Sequence, residues 1–139
     1  MTPKNVIISI KPEYALKIIG GEKKIELRRK FPIQEIEGGL ALIYASSPIQ
    51  KIIGYAVIRE VKKLSVGDLW KKFGKQACVK KSFFLEYFEG LDEGFALVLD
   101  SPVKLETPLD IRRMEREFSV SAPQSFRYAP SKVVDCIAA

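Results

Sequence analysis

Leu40-Ala41-Leu42-Ile43-Tyr44-Ala45, a break at Ser46-Ser47-Pro48, and then Ile52-Ile53-Gly54-Tyr55-Ala56-Val57-Ile58-Arg59-Glu60-Val61 form the stretch that decides the fold. Both apolar runs are rich in β-branched residues, and only a turn separates them, so they read as consecutive strands. Consecutive strands without an intervening helix point to antiparallel pairing. Gly54 inside the second run predicts a bulge or a close backbone approach.

Towards the N-terminus, Gly38-Gly39 marks a turn, and Lys23 to Arg29 reads as a strand stopped by Phe31-Pro32. Val6 to Ile10 reads as a buried strand. Pro12 can occupy the first turn of a helix whose Tyr14, Ala15, Ile18 and Ile19 share one apolar face. Gly20-Gly21 ends that helix. Towards the C-terminus, Ser65 is a candidate cap for a helix with Leu69, Trp70 and Phe73 on its apolar face. Ser82 to Phe88 reads as a second short helix. Gly94 to Leu99 and Val103 to Leu105 read as strands, and Pro108 to Glu117 as a helical turn. The tail from Ser119 to Tyr128 is punctuated by Ser and Pro, and Val133 to Ile137 suggests a last strand. The expected class is α+β: one domain over residues 1–139, built as a small, mostly antiparallel β-barrel with covering helices.

Composition removes several chemistries. The 139 residues contain no histidine, which excludes Ser-His-Asp and Cys-His catalysis and imidazole metal sites. The two cysteines, Cys78 and Cys136, are too few for a cysteine-rich zinc site and are expected reduced. No metal and no cofactor is expected. No apolar run reaches the roughly 18 residues of a membrane helix. Met1-Thr2-Pro3-Lys4-Asn5 lacks a signal-peptide pattern, so a cytoplasmic protein without membrane contact is expected. Lys plus Arg total 23 against 17 Asp plus Glu, and the net charge of +6 suits a polyanionic partner.

The densest polar stretch is Gly20-Gly21-Glu22-Lys23-Lys24-Ile25-Glu26-Leu27-Arg28-Arg29-Lys30. On a regular strand, Lys24, Glu26 and Arg28 share one face, and Lys23 and Arg29 lie on the other with Ile25 and Leu27. Glu26 can then hold the Arg28 guanidinium in a fixed direction, offering a planar fork to a phosphate or base edge. The competing reading is a solvated strand face. Ser46 and Ser47 offer hydroxyls at a strand end, or simply make a turn. Tyr44 and Tyr55 pack in the core, or stack on a base if they face a cleft. In Pro123-Gln124-Ser125-Phe126-Arg127-Tyr128, Gln124 could read a base edge, and Arg127 and Tyr128 could stack or contact phosphate. Alternatively, Phe126 anchors a docked strand. The lysine runs at Lys62-Lys63, Lys71-Lys72-Lys75 and Lys80-Lys81 read as solvated faces that add nonspecific attraction to phosphate.

Gly21, Lys23, Glu26 and Arg28, in a Gly-x-Lys-x-x-Glu-x-Arg pattern after the first helix, resemble the ASCH domain family of the PUA-like superfamily. Ile43 to Pro48, Ile53-Gly54-Tyr55-Ala56, Glu86-Tyr87-Phe88 and Gly94 to Leu97 fit the same family in order. Pro123 to Tyr128 resembles the ASCH group labelled predicted transcriptional regulators. The resemblance implies a PUA-like barrel whose cleft, between barrel and helix, is lined by the Lys-Glu-Arg motif. It places Lys23 rather than Lys24 in that cleft, against strict alternation; both are kept as candidates, with Lys23 preferred.

The function implied is binding of RNA, a nucleotide or a nucleoside, in RNA metabolism or translation-linked regulation, by a module that is non-catalytic or weakly catalytic. Lys23, Lys24, Glu26, Arg28, Arg29, Tyr44, Ser46, Ser47, Gln124, Arg127 and Tyr128 are the candidate binding residues. The alternative is an enzyme in the same cleft, with Lys23 and Glu26 as catalytic candidates. It would be an acetylcytidine-type amidohydrolase or a ribonuclease. The resemblance implies that relatives of the first kind work with a Lys, a Thr nucleophile three residues later and a separate Glu; the Thr position in this chain is Glu26. The oligomeric state is not legible in the sequence.

Overall fold

The computed structural model describes residues 2–138. The strand β1 (Val6–Ile10) leads into α1 (Pro12–Ile19), then β2 (Ile25–Arg28), β3 (Leu40–Ala45) and β4 (Lys51–Ser65). The helices α2 (Val66–Phe73) and α3 (Lys81–Tyr87) follow. Next come β5 (Glu93–Asp110), α4 (Ile111–Phe118), β6 (Phe126–Tyr128) and α5 (Ser131–Ala138). The six strands make one sheet in the order β2-β5-β4-β3-β1-β6, and only the β1–β3 pair is parallel. The sheet curls into a half-barrel, so the α+β, mostly antiparallel, barrel-like architecture expected from the sequence is the one observed. Its ladder stays open, with β2 and β6 at the two edges.

Apolar side chains on both faces explain the unbroken runs in β1 and β3. Inside the curl, Val6, Ile8, Ile10, Ala41, Ile43 and Leu97 pack with Ala15 and Ile18 of α1. On the outer face, Ile7, Leu42, Tyr44 and Leu109 pack with Met114 of α4 and Val133 of α5. A third cluster sets Ile25 and Leu27 of β2 against Leu69 and Phe73 of α2 and Phe84 of α3.

Local chemistry fixes the element ends. The Ser65 hydroxyl accepts from Asp68 N at 3.2 Å and caps α2 as expected, and the Asp110 carboxylate accepts from Arg112 N at 2.7 Å at the start of α4. A Cβ at Gly54 would collide with the Val103 carbonyl and the Ile19 side chain, which is the close approach its place in the strand predicted.

Three expectations are corrected. Gly94–Leu99 and Val103–Leu105 are parts of one long β5 that bends at Ser101, which has φ 50°. Pro108 to Asp110 remain in that strand, and the helix begins only at Ile111. Val133 to Ile137 lie in α5 rather than in a strand, because Val133, Val134 and Ile137 at i, i+1 and i+4 all meet the outer core. Cys78 is half-buried and Cys136 exposed, and neither forms a disulfide among the described residues. Among the described residues no helix is long and apolar enough to cross a membrane.

Candidate functional site

Among the described residues three charged side chains are buried, and all three come from the polar stretch after α1. Lys23 is 3% exposed, and Glu26 and Arg28 are 8% exposed. Burying a charge is costly unless it is paired, and here each is. Glu26 stands between the two cations, with Oε1 3.6 Å from Lys23 Nζ and Oε2 2.9 Å from an Arg28 terminal nitrogen. Lys23 Nζ also donates to the Ala77 carbonyl. The Tyr14 ring lies 5.1 Å from the same ammonium.

Arg28 reaches across the open edge of the sheet. From β2 it donates to the Ser9 carbonyl of β1 at 2.8 Å and to the Ser125 hydroxyl, just ahead of β6, at 3.3 Å. It therefore ties together the two edges that no backbone ladder joins. Its buried Nε–H has no hydrogen-bond partner among the described residues.

The choice between Lys23 and Lys24 is settled in geometry by where β2 begins. The strand starts at Ile25, so two-residue alternation does not extend back to Lys23. Gly21, at φ 84°, turns the chain after α1. Lys23 N then bonds the Lys17 carbonyl, and Lys24 N bonds the Gln76 carbonyl, each at 3.1 Å. Lys23 points in beside Glu26, and Lys24 is exposed.

The triad borders a cavity of about 320 Å³, at the small end of ligand pockets. Ser9, Ile10, Lys11 and Tyr14 bring β1 and α1 to one side. Val79 and Phe83, Phe84 and Tyr87 of α3 bring the other, and Ser46 and Gln124 reach in from two loops. Phe83 and Tyr87, one helical turn apart, stack with centroids 6.0 Å apart and planes 9° from parallel. Tyr14 lies 6.1 Å from Phe83, and Lys11 Nζ is 5.5 Å from the Phe83 ring.

Burial lowers the Lys23 pKa from the ordinary lysine value, with Glu26 pulling the other way. Burial raises the Tyr87 pKa, and its hydroxyl donates to the Leu27 carbonyl at 3.4 Å. Tyr14 is also raised, by burial first and then by Glu13 and Glu26. The cavity therefore offers a fixed carboxylate between two cations, neutral phenols and aromatic faces.

The cavity gathers Lys23, Glu26, Arg28, Ser46 and Gln124 from the candidate set. The others lie elsewhere. Arg29 is exposed past the end of β2 and is not among the residues that line the cavity. Tyr44 is 3% exposed in the outer core, because its place in β3 alternates away from the curl. Ser47 is exposed in the turn after β3. Phe126 packs inward against Phe31, with centroids 4.8 Å apart, so Arg127 faces outward opposite Ile7. Tyr128 is exposed, with Lys4 Nζ 4.9 Å from its ring, away from the cavity. The sequence reading missed Tyr14, Phe83 and Tyr87. For Phe83 and Tyr87 the signal was a short helix with aromatics on two faces: Phe84 and Phe88 inward, Phe83 and Tyr87 towards the cavity.

The model of one protein family, the ASCH domain, matches residues 8–108. This chain belongs to the ASCH domain family. An ASCH domain-containing ribonuclease of Zymomonas mobilis is 31% identical over 114 residues, covering 78% of this chain and 76% of that protein. The crystal structure of ASCH from Zymomonas mobilis superimposes on this ASCH domain with a TM-score of 0.88 at 26% identity, over 97% and 96% of the two chains. The large ribosomal subunit protein uL22 of Ureaplasma parvum is 27% identical over 129 residues, and the match spans 91% of this chain but 40% of that protein.

Proposed function

We propose that this ASCH domain binds single-stranded RNA or a nucleotide, taking one base into the cavity between α1 and α3. The observation that carries the reading is the buried Lys23–Glu26–Arg28 triad set opposite the Tyr14, Phe83 and Tyr87 rings. Aromatic faces hold any base by stacking. Glu26 accepts from a base amine, while Lys23 and Lys11 attract phosphate. A volume of about 320 Å³ suits a single nucleotide rather than a duplex. A relative described as a ribonuclease supports RNA as the ligand class. The grouping with predicted transcriptional regulators rests on Pro123–Tyr128 alone, beyond the stretch the family model matches.

Fluorescence anisotropy with a short single-stranded RNA tests the proposal. Affinity should fall steeply with salt and be lost when Phe83→Ala and Tyr87→Ala are combined. Affinity untouched by that pair would remove the cavity from the reading.

A second reading, RNA cleavage in the same cavity, is favoured by the Zymomonas relative and by Lys23, whose lowered pKa makes it a readier proton carrier than an ordinary lysine. End-labelled RNA incubated at high protein concentration decides it: fragments absent with Lys23→Met support cleavage, and intact RNA leaves binding alone. The amidohydrolase alternative has no such support, since both Glu26 oxygens face cations and the residue is no substitute for a hydroxyl nucleophile.

A further inference from the structure

We infer that a second cavity, of about 470 Å³ on the far side of Lys23, is the subsite for the next nucleotide of the same strand. The inference rests on the RNA-binding reading of the first cavity and extends it.

Lys23 lines both cavities, so one residue forms the wall between them. The two also follow one helix. Tyr14 of α1 borders the first, and Ile18 and then Gly21 border the second. Tyr14 and Ile18 are four residues apart, about 6 Å along a helix axis, a step of the order of one nucleotide.

The second cavity has the chemistry a phosphate with its sugar and base requires. Lys24 and Arg59 supply exposed cations, and Phe73 and Pro102 supply apolar walls. The Gln76 carbonyl is held by the amides of Lys24 and Ile25, which fixes the backbone that carries the Gln76 side chain at the rim. Among the described residues Asp100 is the one carboxylate on this cavity, and it lies 3.5 Å from Arg59. Two exposed cations, Lys24 and Arg59, thus face one anion, while Lys23 turns its ammonium to Glu26 in the first cavity. Lys24, outside the first cavity, thus acquires a role: it belongs to the neighbouring position on the strand.

Nucleic-acid binding accumulates affinity when a tethered second unit meets its own contacts. The test is isothermal titration with ribonucleotides of one and three units, in a uridylate and an adenylate series. The quantity read is the ratio of trimer to monomer affinity. For the wild type the ratio should be about tenfold or more. Arg59→Glu should collapse it towards unity, and Asp100→Asn should raise it. Both positions are solvent-exposed at the side chain, and unchanged melting curves verify folding.

A trimer bound no more tightly than the monomer would overturn the second subsite while leaving the first intact. So would a ratio unmoved by Arg59→Glu. Absence of binding by monomer and trimer alike would overturn both readings together.

Discussion

Two sets of cations in this molecule have the same chemistry and opposite surroundings. Lys71, Lys72 and Lys75, on α2 and just after it, stand in solvent. Lys23 and Arg28 are buried about a shared carboxylate. The difference teaches that charge density in the sequence does not mark a site. What marks it is the demand that each charge find a partner once water is withdrawn, which fixes the direction of every group.

Glu26→Ala should break this comparison most severely, because it strands two buried cations. A loss of about 3–5 kcal/mol in stability is expected, read by thermal or urea unfolding. Glu60→Ala, which removes the exposed partner of Lys62, should cost less than about 1 kcal/mol. Comparable losses for both would mean that burial does not distinguish the two sets. Arg28→Ala removes the tie between β2 and the β1–β6 edge. It should lower stability by about 2–3 kcal/mol and weaken RNA binding by about 1–3 kcal/mol.

The next effect is on binding with little on folding. Phe83 is 36% exposed, and Phe83→Ala should cost about 1–3 kcal/mol of RNA affinity with a nearly unchanged melting temperature. Tyr128→Ala, at an aromatic outside the cavity, should leave affinity unchanged. A larger loss from Tyr128→Ala than from Phe83→Ala would move the interface to the C-terminal strand.

A pH titration sharpens the contrast between the two cation sets. A depressed Lys23 pKa means that its positive charge disappears at lower pH than that of the exposed lysines. Phosphate affinity should therefore decline as pH rises through a midpoint below the ordinary lysine value of about 10.4. Lys23→Met should abolish that component. Tyr14 and Tyr87, both raised, stay neutral through the same range and do not produce it. The smallest effect is expected from Lys71→Ala with Lys72→Ala: stability within about 0.5 kcal/mol and only a shallower salt dependence of binding.

The sheet was legible because β1, β3 and β4 are apolar enough to be buried, and nothing helical interrupts β3 and β4. Gly54 announced its close contact with Val103 and Ile19 in the same way. The C-terminal helix was not legible, since five residues with Val and Ile at both ends fit either period. The triad's residue types and spacing were visible. The direction of Lys23 was not legible from strand alternation, because it depends on where β2 begins, and that is set by the bond from Lys23 N back to the Lys17 carbonyl and the long-range bond from Lys24 N to the Gln76 carbonyl. The aromatic wall was hidden for a related reason: α3 reaches the triad only through tertiary packing, about sixty residues along the chain, as the Tyr87 bond to the Leu27 carbonyl records.

Ultraviolet cross-linking of a short single-stranded RNA to the protein, with the modified residues read by mass spectrometry, tests the central claim most directly. Adducts are expected at Tyr14, Phe83 and Tyr87, lost in competition with unlabelled RNA. Adducts confined to Tyr128 and the exposed face of α2, with none on α1 or α3, would contradict it.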